Sequence, residues 1–84
     1  MKIKTISGSL YDIDNVSGVC HKYDASGECI DAFKAFYMKA IPTTVKTLGE
    51  IWDYPFSKPE VGKLLYISGR ESWWLSTEVV YIEE

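Results

Sequence analysis

The chain has 84 residues, 46 % of them hydrophobic and 14 % aromatic, and it carries a formal net charge of −3 at pH 7. So short a chain has material for one core, and we predict a single domain over residues 1–84. Its many large apolar side chains exclude a disordered segment, and its acidic balance argues against general nucleic-acid binding, which depends on neutralised phosphates.

Short alternating runs separated by turn residues predict β-strands in the first third of the chain. We expect strands at residues 3–5, 10–13 and 19–23. The small residues around Gly8 predict a kink, and residues 14–18 predict a turn, because Asp, Asn and Gly bond the local backbone or tolerate positive φ. A tight reversal at 25–28 then returns the chain as an antiparallel partner from about Cys29 onward.

Residues 30–41 fit two patterns. Their apolar side chains recur at a helical spacing, and three alanines favour a helix. Phe33, Ala35 and Tyr37 equally occupy alternate positions of an aromatic strand. We favour a strand or an elaborated hairpin here, with one helix as the alternative. Pro42 ends the element in either case, because its ring restricts the preceding residue and removes a hydrogen-bond donor.

The second half of the chain contains further strand patterns after a loop or irregular strand at 43–49. We predict strands at residues 49–56, 61–67, 72–75 and 79–82. Pro55 closes the first of these, while a turn at 68–71 and a step at 76–78 separate the last three. The whole chain therefore predicts a mainly all-β domain of five to seven short antiparallel strands, arranged as a small barrel or sandwich.

The C-terminal run Trp73–Glu83 resembles the close of an SH3-type barrel, in which an aromatic strand meets one turn of 3₁₀ helix before a last short strand. Together with Thr5–Ile13 and the Val61–Lys63 step, it is similar to a loose, mostly uncharacterised group of small bacteriophage proteins with an SH3-like fold. The resemblance implies a small SH3-like barrel. It also implies a role in host takeover or defence evasion, by blocking a host protein or sequestering a nucleotide signal, and it brings no catalytic residues.

The residues give little support to catalysis or metal binding. His21 is the only histidine, and no residue is placed by sequence to activate a nucleophile, so we expect no enzyme. Cys20 and Cys29 lack the paired spacing of structural zinc sites, and we expect two buried packing thiols, no metal and no cofactor. No apolar run reaches signal-peptide or membrane-spanning length, which predicts a cytoplasmic protein, in an infected bacterial host if the resemblance holds.

Aromatic residues give the strongest indication of a binding surface. Trp73 and Trp74 are adjacent on a predicted strand and must point to opposite faces, so one can join the core and the other is free for contact or packs under a loop. Trp52 and Tyr54 share a face if their segment is extended. Exposed Trp and Tyr are typical hot-spot residues, and we predict that these four side chains contribute the partner-binding surface.

Three roles follow from these patterns. The leading hypothesis is a non-catalytic, phage-derived protein that antagonises a host factor or defence system by direct contact and steric occlusion. The second is an oligomeric sponge for a nucleotide signal, in which cations pair with phosphates and an aromatic ring stacks on a base. Its candidate cations are Lys34, Lys39, Lys46 and Arg70. The third is a phage structural or assembly protein that self-associates through exposed strand edges.

Overall fold

A computed structural model describes residues 1–84 and contains seven β-strands and one short α-helix. The elements are β1 (Lys2–Thr5), β2 (Leu10–Ile13), β3 (Val19–Tyr23), β4 (Cys29–Lys34), β5 (Tyr37–Ile41), α1 (Leu48–Asp53), β6 (Leu64–Ser68) and β7 (Trp73–Glu83). The strands form one antiparallel sheet in the order β4-β3-β2-β1-β7-β6-β5. The predicted mainly β fold of five to seven antiparallel strands is confirmed.

The sheet curls around one main core. Cys20 of β3 and Ile67 of β6 belong to the same buried cluster, although three strands lie between β3 and β6 in the sheet. β7 allows this curvature, because it pairs with β6 over its first half and with β1 over its second half. Each pairing contains a register shift, and such bulges bend and twist a strand. The core consists of Ile3, Tyr11, Ile13, Cys20, Leu65, Ile67 and Val79.

Residues 30–41 form two strands rather than a helix, which confirms the preference stated from the sequence. β4 ends at Lys34 and β5 begins at Tyr37, so the chain breaks at Ala35 and Phe36. The break is anchored by backbone hydrogen bonds: the Ala35 N–H donates to the Gly18 carbonyl at 2.9 Å, and the Phe36 N–H donates to the Ser68 carbonyl at 2.8 Å.

The predicted aromatic strand at 49–56 is wrong, because this segment contains helix α1. Thr47 is the N-cap residue, and its hydroxyl accepts a hydrogen bond from the Glu50 N–H at 3.4 Å. The Glu50 carboxylate in turn accepts from the Lys46 N–H at 3.2 Å. This pattern is similar to a capping box, which stabilises the first turn of a helix. The helix ends before Pro55, as expected from the restriction that proline places on its predecessor.

The predicted break at 76–78 is also wrong, since β7 runs without interruption from Trp73 to Glu83. The 3₁₀ turn expected from the SH3-type resemblance is absent there. Ser76 is buried, and its hydroxyl accepts from the Leu65 N–H at 2.9 Å while donating to the Thr77 carbonyl at 2.7 Å. At the bulge, the Ser76 hydroxyl therefore replaces a backbone carbonyl as the acceptor for the Leu65 N–H of β6, and the strand continues beyond it.

A second, smaller core covers the outer face of β5 and β6. It contains Ile41, Ile51 and Tyr66, with Val45, Tyr54, Leu64 and Leu75 packed around them. Strand β6 is consequently covered on both faces, with alternate residues directed to the main core and to the α1 side. Helix α1 lies on this outer layer, and its position brings the next group of aromatic side chains together.

Candidate functional site

Five large aromatic side chains are exposed in a connected group beside α1. They are Phe36, Tyr37, Trp52, Phe56 and Trp73, each between 44 and 63 % exposed. We call this group the aromatic surface. Clusters of exposed apolar rings mark candidate interaction sites.

One half of the aromatic surface is built on a buried tyrosine. Tyr66 of β6 is 5 % exposed, and the rings of Trp52 and Trp73 lie 5.6 and 5.9 Å from it, measured between centroids. The two tryptophans contact each other edge to face at 6.3 Å. Edge-to-face and tilted pairs at these distances are attractive, so the tryptophans hold each other in place while both remain open to solvent.

The other half is a stacked pair at the edge strand β5. The rings of Tyr37 and Phe56 lie 4.6 Å apart with an interplanar angle of 18°, and Phe36 lies 6.5 Å from Tyr37. Ser57 fixes the segment that carries Phe56: its N–H donates to the Met38 carbonyl at 3.0 Å, and its hydroxyl accepts from the Ala40 N–H at 2.9 Å. These hydrogen bonds hold the segment of Phe56 against β5.

Lys39 joins the two halves from below. It is 4 % exposed, and its Nζ donates to the carbonyl oxygens of Ile51 and Trp52 at 3.0 and 3.3 Å. The same Nζ lies between 5.3 and 5.8 Å from the ring centroids of Trp52, Phe56 and Tyr66.

No carboxylate forms an ion pair with Lys39, since the chain's ion pair joins Lys63 and Glu60. A buried ammonium is costly unless its donors are paired. Here the last carbonyls of α1 accept from it, and three ring faces attract it through cation–π interactions. Lys39 therefore fastens the end of α1 to β5 and sets the positions of Trp52 and Phe56.

The predicted partner-binding residues separate into two groups. Trp52 and Trp73 lie in the aromatic surface, whereas Trp74 points to the opposite face of β7. The Trp74 ring packs edge to face on Phe33 at 4.3 Å, and its indole N–H donates to the Asp31 carboxylate at 3.2 Å. As predicted, the two adjacent tryptophans take opposite faces, one against the core and one outward.

Tyr54 does not join Trp52 on the surface, because their segment is helical rather than extended. It is half-buried against the second core and lines an open hollow with Glu50 and Asp53. Phe56 lies within the strand predicted at 49–56, and neither it nor Phe36 nor Tyr37 is among the predicted site residues. Phe36 and Tyr37 are adjacent aromatic residues at the break between β4 and β5. This aromatic pair is the sequence signal that could have indicated the site.

The four predicted anion-binding cations do not converge within one chain. Lys39 is buried under the aromatic surface, and Lys46 precedes α1. Lys34 and Arg70 do share a site: an open cleft of about 710 Å³, lined by Phe33, Lys34, Phe36, Arg70, Glu71 and Ser72.

The titratable groups with shifted pKa values serve the fold. Burial raises the pKa of the Tyr11 hydroxyl and of the Cys20 thiol to about 12 each. Backbone and side-chain hydrogen bonds from the turns that follow lower the pKa of Asp14 and Asp24, which cap those turns. Cys29 is exposed, so the expectation that both thiols are buried is wrong for this residue.

A scan against protein-family models and searches of curated proteins and of solved structures found no significant match to this chain. No set of three or more His, Cys, Asp or Glu side chains is placed to hold a metal ion. The single helix is too short to cross a membrane. The aromatic surface and the Lys34–Arg70 cleft are therefore the features from which function is argued.

Proposed function

We propose that the chain is a non-catalytic binding protein that holds a protein partner through the aromatic surface. The observation that carries the proposal is the pair of half-exposed tryptophans, Trp52 and Trp73, in contact over the buried ring of Tyr66. Tryptophan and tyrosine dominate the hot spots of protein interfaces, because they bury large areas with few rotatable bonds.

Preorganisation supports this role. Tyr37, Trp52 and Trp73 are carried by β5, α1 and β7, the segment of Phe56 is bonded to β5 through Ser57, and Lys39 ties α1 to β5. A partner would therefore meet rings that are already ordered, and little side-chain entropy would be lost on binding. The surface carries no nucleophile paired with a base, and this supports a role in binding rather than in catalysis.

The resemblance to small bacteriophage proteins suggests what kind of partner this is. In that setting the partner is a host protein of the infected bacterium, and binding blocks the surface that the host protein uses. Steric occlusion requires only affinity and correct placement. The ordered rings of the aromatic surface favour such a role, because it needs no chemical step.

Affinity capture from bacterial lysate, followed by native mass spectrometry, tests the proposal. We expect the wild-type chain to retain a host protein at fixed stoichiometry, and the double variant Trp52→Ala/Trp73→Ala to lose it. Tyr81→Ala is the matched control, since Tyr81 is an equally exposed ring on β7 outside the aromatic surface, over Lys4. Capture of the same protein by the double variant would contradict the proposal.

The two other roles receive less support. A nucleotide sponge using all four cations would need several chains, because these cations lie at separate places. Self-assembly through strand edges is disfavoured where backbone groups of the edge strands already have partners. The Asp31 carboxylate accepts from the Ala32 N–H on β4 at 2.8 Å, and Ser57 bonds to β5. Occupied backbone groups make an edge a poor template for another strand.

A further inference from the structure

The cleft between the end of β4 and the β6–β7 turn combines cations, an exposed ring and a carboxylate in one place. Lys34, Phe36, Arg70 and Glu71 line it together with Phe33 and Ser72. Its volume of about 710 Å³ lies within the range of roughly 300–1,000 Å³ that is usual for sites of small ligands. The cleft does not include Trp52 or Trp73, so it is separate from the tryptophan half of the aromatic surface.

The two walls of the cleft are held at a fixed separation. The Phe36 N–H donates to the Ser68 carbonyl, and the Gly69 N–H donates to the Ser72 carbonyl, both at 2.8 Å. A Cβ atom at Gly69 would come within 2.5 Å of the Lys34 carbonyl oxygen and 2.7 Å of the Phe33 ring. Only glycine lets the turn approach β4 so closely, and the cleft is therefore formed without a ligand.

The cations of the cleft are free to bind an anion. Neither Lys34 nor Arg70 has an ion-pair partner in the chain. Lys34 Nζ lies over the Phe36 ring at 5.5 Å from its centroid, which keeps the ammonium beside the exposed aromatic face. Arg70 is exposed on the opposite wall, where its planar guanidinium can contact two oxygens of one phosphate.

We propose that this cleft binds a small nucleoside phosphate. Arg70 and Lys34 contact the phosphate, and the base stacks on the face of Phe36 that the Lys34 ammonium leaves open; Phe36 is 49 % exposed. The Glu71 carboxylate accepts hydrogen bonds from the ribose hydroxyls, a contact that a plain anion could not make. Four of the six lining residues thus match parts of a nucleotide, whereas a site for inorganic phosphate would need neither the ring nor the acid.

Calorimetric titration of the full chain at low salt tests the assignment. The probes are the monophosphates of adenosine, guanosine, cytidine and uridine, their cyclic forms, the bare nucleosides and inorganic phosphate. We expect at least one nucleotide to bind with a Kd below about 1 mM, and its nucleoside and inorganic phosphate to bind at least about tenfold more weakly. The affinity should fall as salt is added.

Variants assign the binding to this cleft. Arg70→Ala and Lys34→Ala should each weaken nucleotide binding about tenfold, and Phe36→Leu should weaken it severalfold by removing the stacking face. Lys46→Ala is the matched control: it removes the same charge from an exposed lysine outside the cleft and should leave affinity unchanged. Unchanged thermal unfolding of each variant excludes a folding defect.

Three results would overturn the proposal. They are the absence of binding for every nucleotide, equal binding of inorganic phosphate, and unchanged affinity in both Arg70→Ala and Lys34→Ala. The Trp52→Ala/Trp73→Ala variant should still bind the nucleotide, because neither tryptophan lines the cleft. The outcome is therefore independent of whether the aromatic surface holds a protein partner.

Discussion

Trp73 and Trp74 are neighbours on β7, yet they lie in two contrasting environments. Trp74 faces inward, where its ring packs on Phe33 and its indole N–H is bonded to Asp31. Trp73 faces outward, where its ring contacts the rings of Tyr66 and Trp52. The inner face uses its aromatic ring to stabilise the fold, whereas the outer face keeps rings ordered but exposed. Exposed aromatic rings whose positions are already fixed are well suited to a protein interface.

The largest expected effect comes from replacing the inward tryptophan. Trp74→Ala should destabilise the fold by about 3 kcal/mol, because it removes a ring that packs on Phe33 and against the main core. Trp73→Ala should cost about 1 kcal/mol or less, since its ring is already half in water. Denaturant unfolding of both variants measures the difference. Equal losses would remove the distinction between the two faces.

The buried lysine provides the next test. Lys39→Met keeps the apolar stem but removes the donors to the carbonyls of Ile51 and Trp52, and we expect a loss of about 1–3 kcal/mol in the free energy of unfolding. Lys63→Met, at an exposed lysine in an ion pair, should lose no more than about 0.5 kcal/mol. A Lys39→Met variant as stable as the wild type would show that apolar packing replaces the ammonium.

A smaller effect is expected at the bulge of β7. Ser76→Ala leaves the buried Leu65 N–H without its acceptor and should destabilise the fold by about 1–2 kcal/mol. Ser72→Ala, at an exposed serine of the preceding turn, should change stability by less than about 0.5 kcal/mol. Thermal unfolding compares the two. If Ser76→Ala left the stability unchanged, the Leu65 N–H would have to find another acceptor, and the role given to the Ser76 hydroxyl would be contradicted.

Raising the pH above about 9 should lower the free energy of unfolding, because two groups of the main core then titrate in the unfolded chain. These two groups should cause no change in stability near pH 7. Tyr11 and Cys20 have pKa values of about 12 in the fold, raised mainly by burial from 10.0 and 9.0. Their protonated forms are favoured in the fold, so the unfolded chain loses protons first as pH rises. Stability should therefore fall from about pH 9 towards pH 12. Tyr11→Phe should reduce this fall, which denaturant unfolding at a series of pH values measures. A variant whose stability depends on pH in the same way as the wild type would contradict this prediction.

Alternating apolar residues and turn-forming residues correctly predicted the early strands, including the turn at 14–18 and the strand at 19–23. Helix α1 was missed because its aromatic residues favour a strand, although Thr47 and Glu50 have the spacing of a capping box. The continuity of β7 could not be predicted, since it depends on Ser76 reaching the Leu65 N–H. That contact exists only once β6 and β7 have paired.

The site shows the same division between local and tertiary information. The opposite orientation of Trp73 and Trp74 follows from strand geometry alone. The association of Tyr37 with Phe56, and of both halves with Lys39, depends on contacts between residues far apart in sequence. The sequence around Lys39 did not indicate that this lysine would be buried beneath three aromatic rings.

Hydrogen–deuterium exchange of the chain with and without its captured protein partner tests the central claim most directly. Binding to the aromatic surface should slow exchange at the amides of residues 36–41, 50–57 and 73–75, where its rings are carried. The amides of β2 and β3, which carry none of these rings, should exchange at an unchanged rate. Protection confined to β2 and β3, with none around Trp52 and Trp73, would show that the partner binds elsewhere and that the aromatic surface is not the interface.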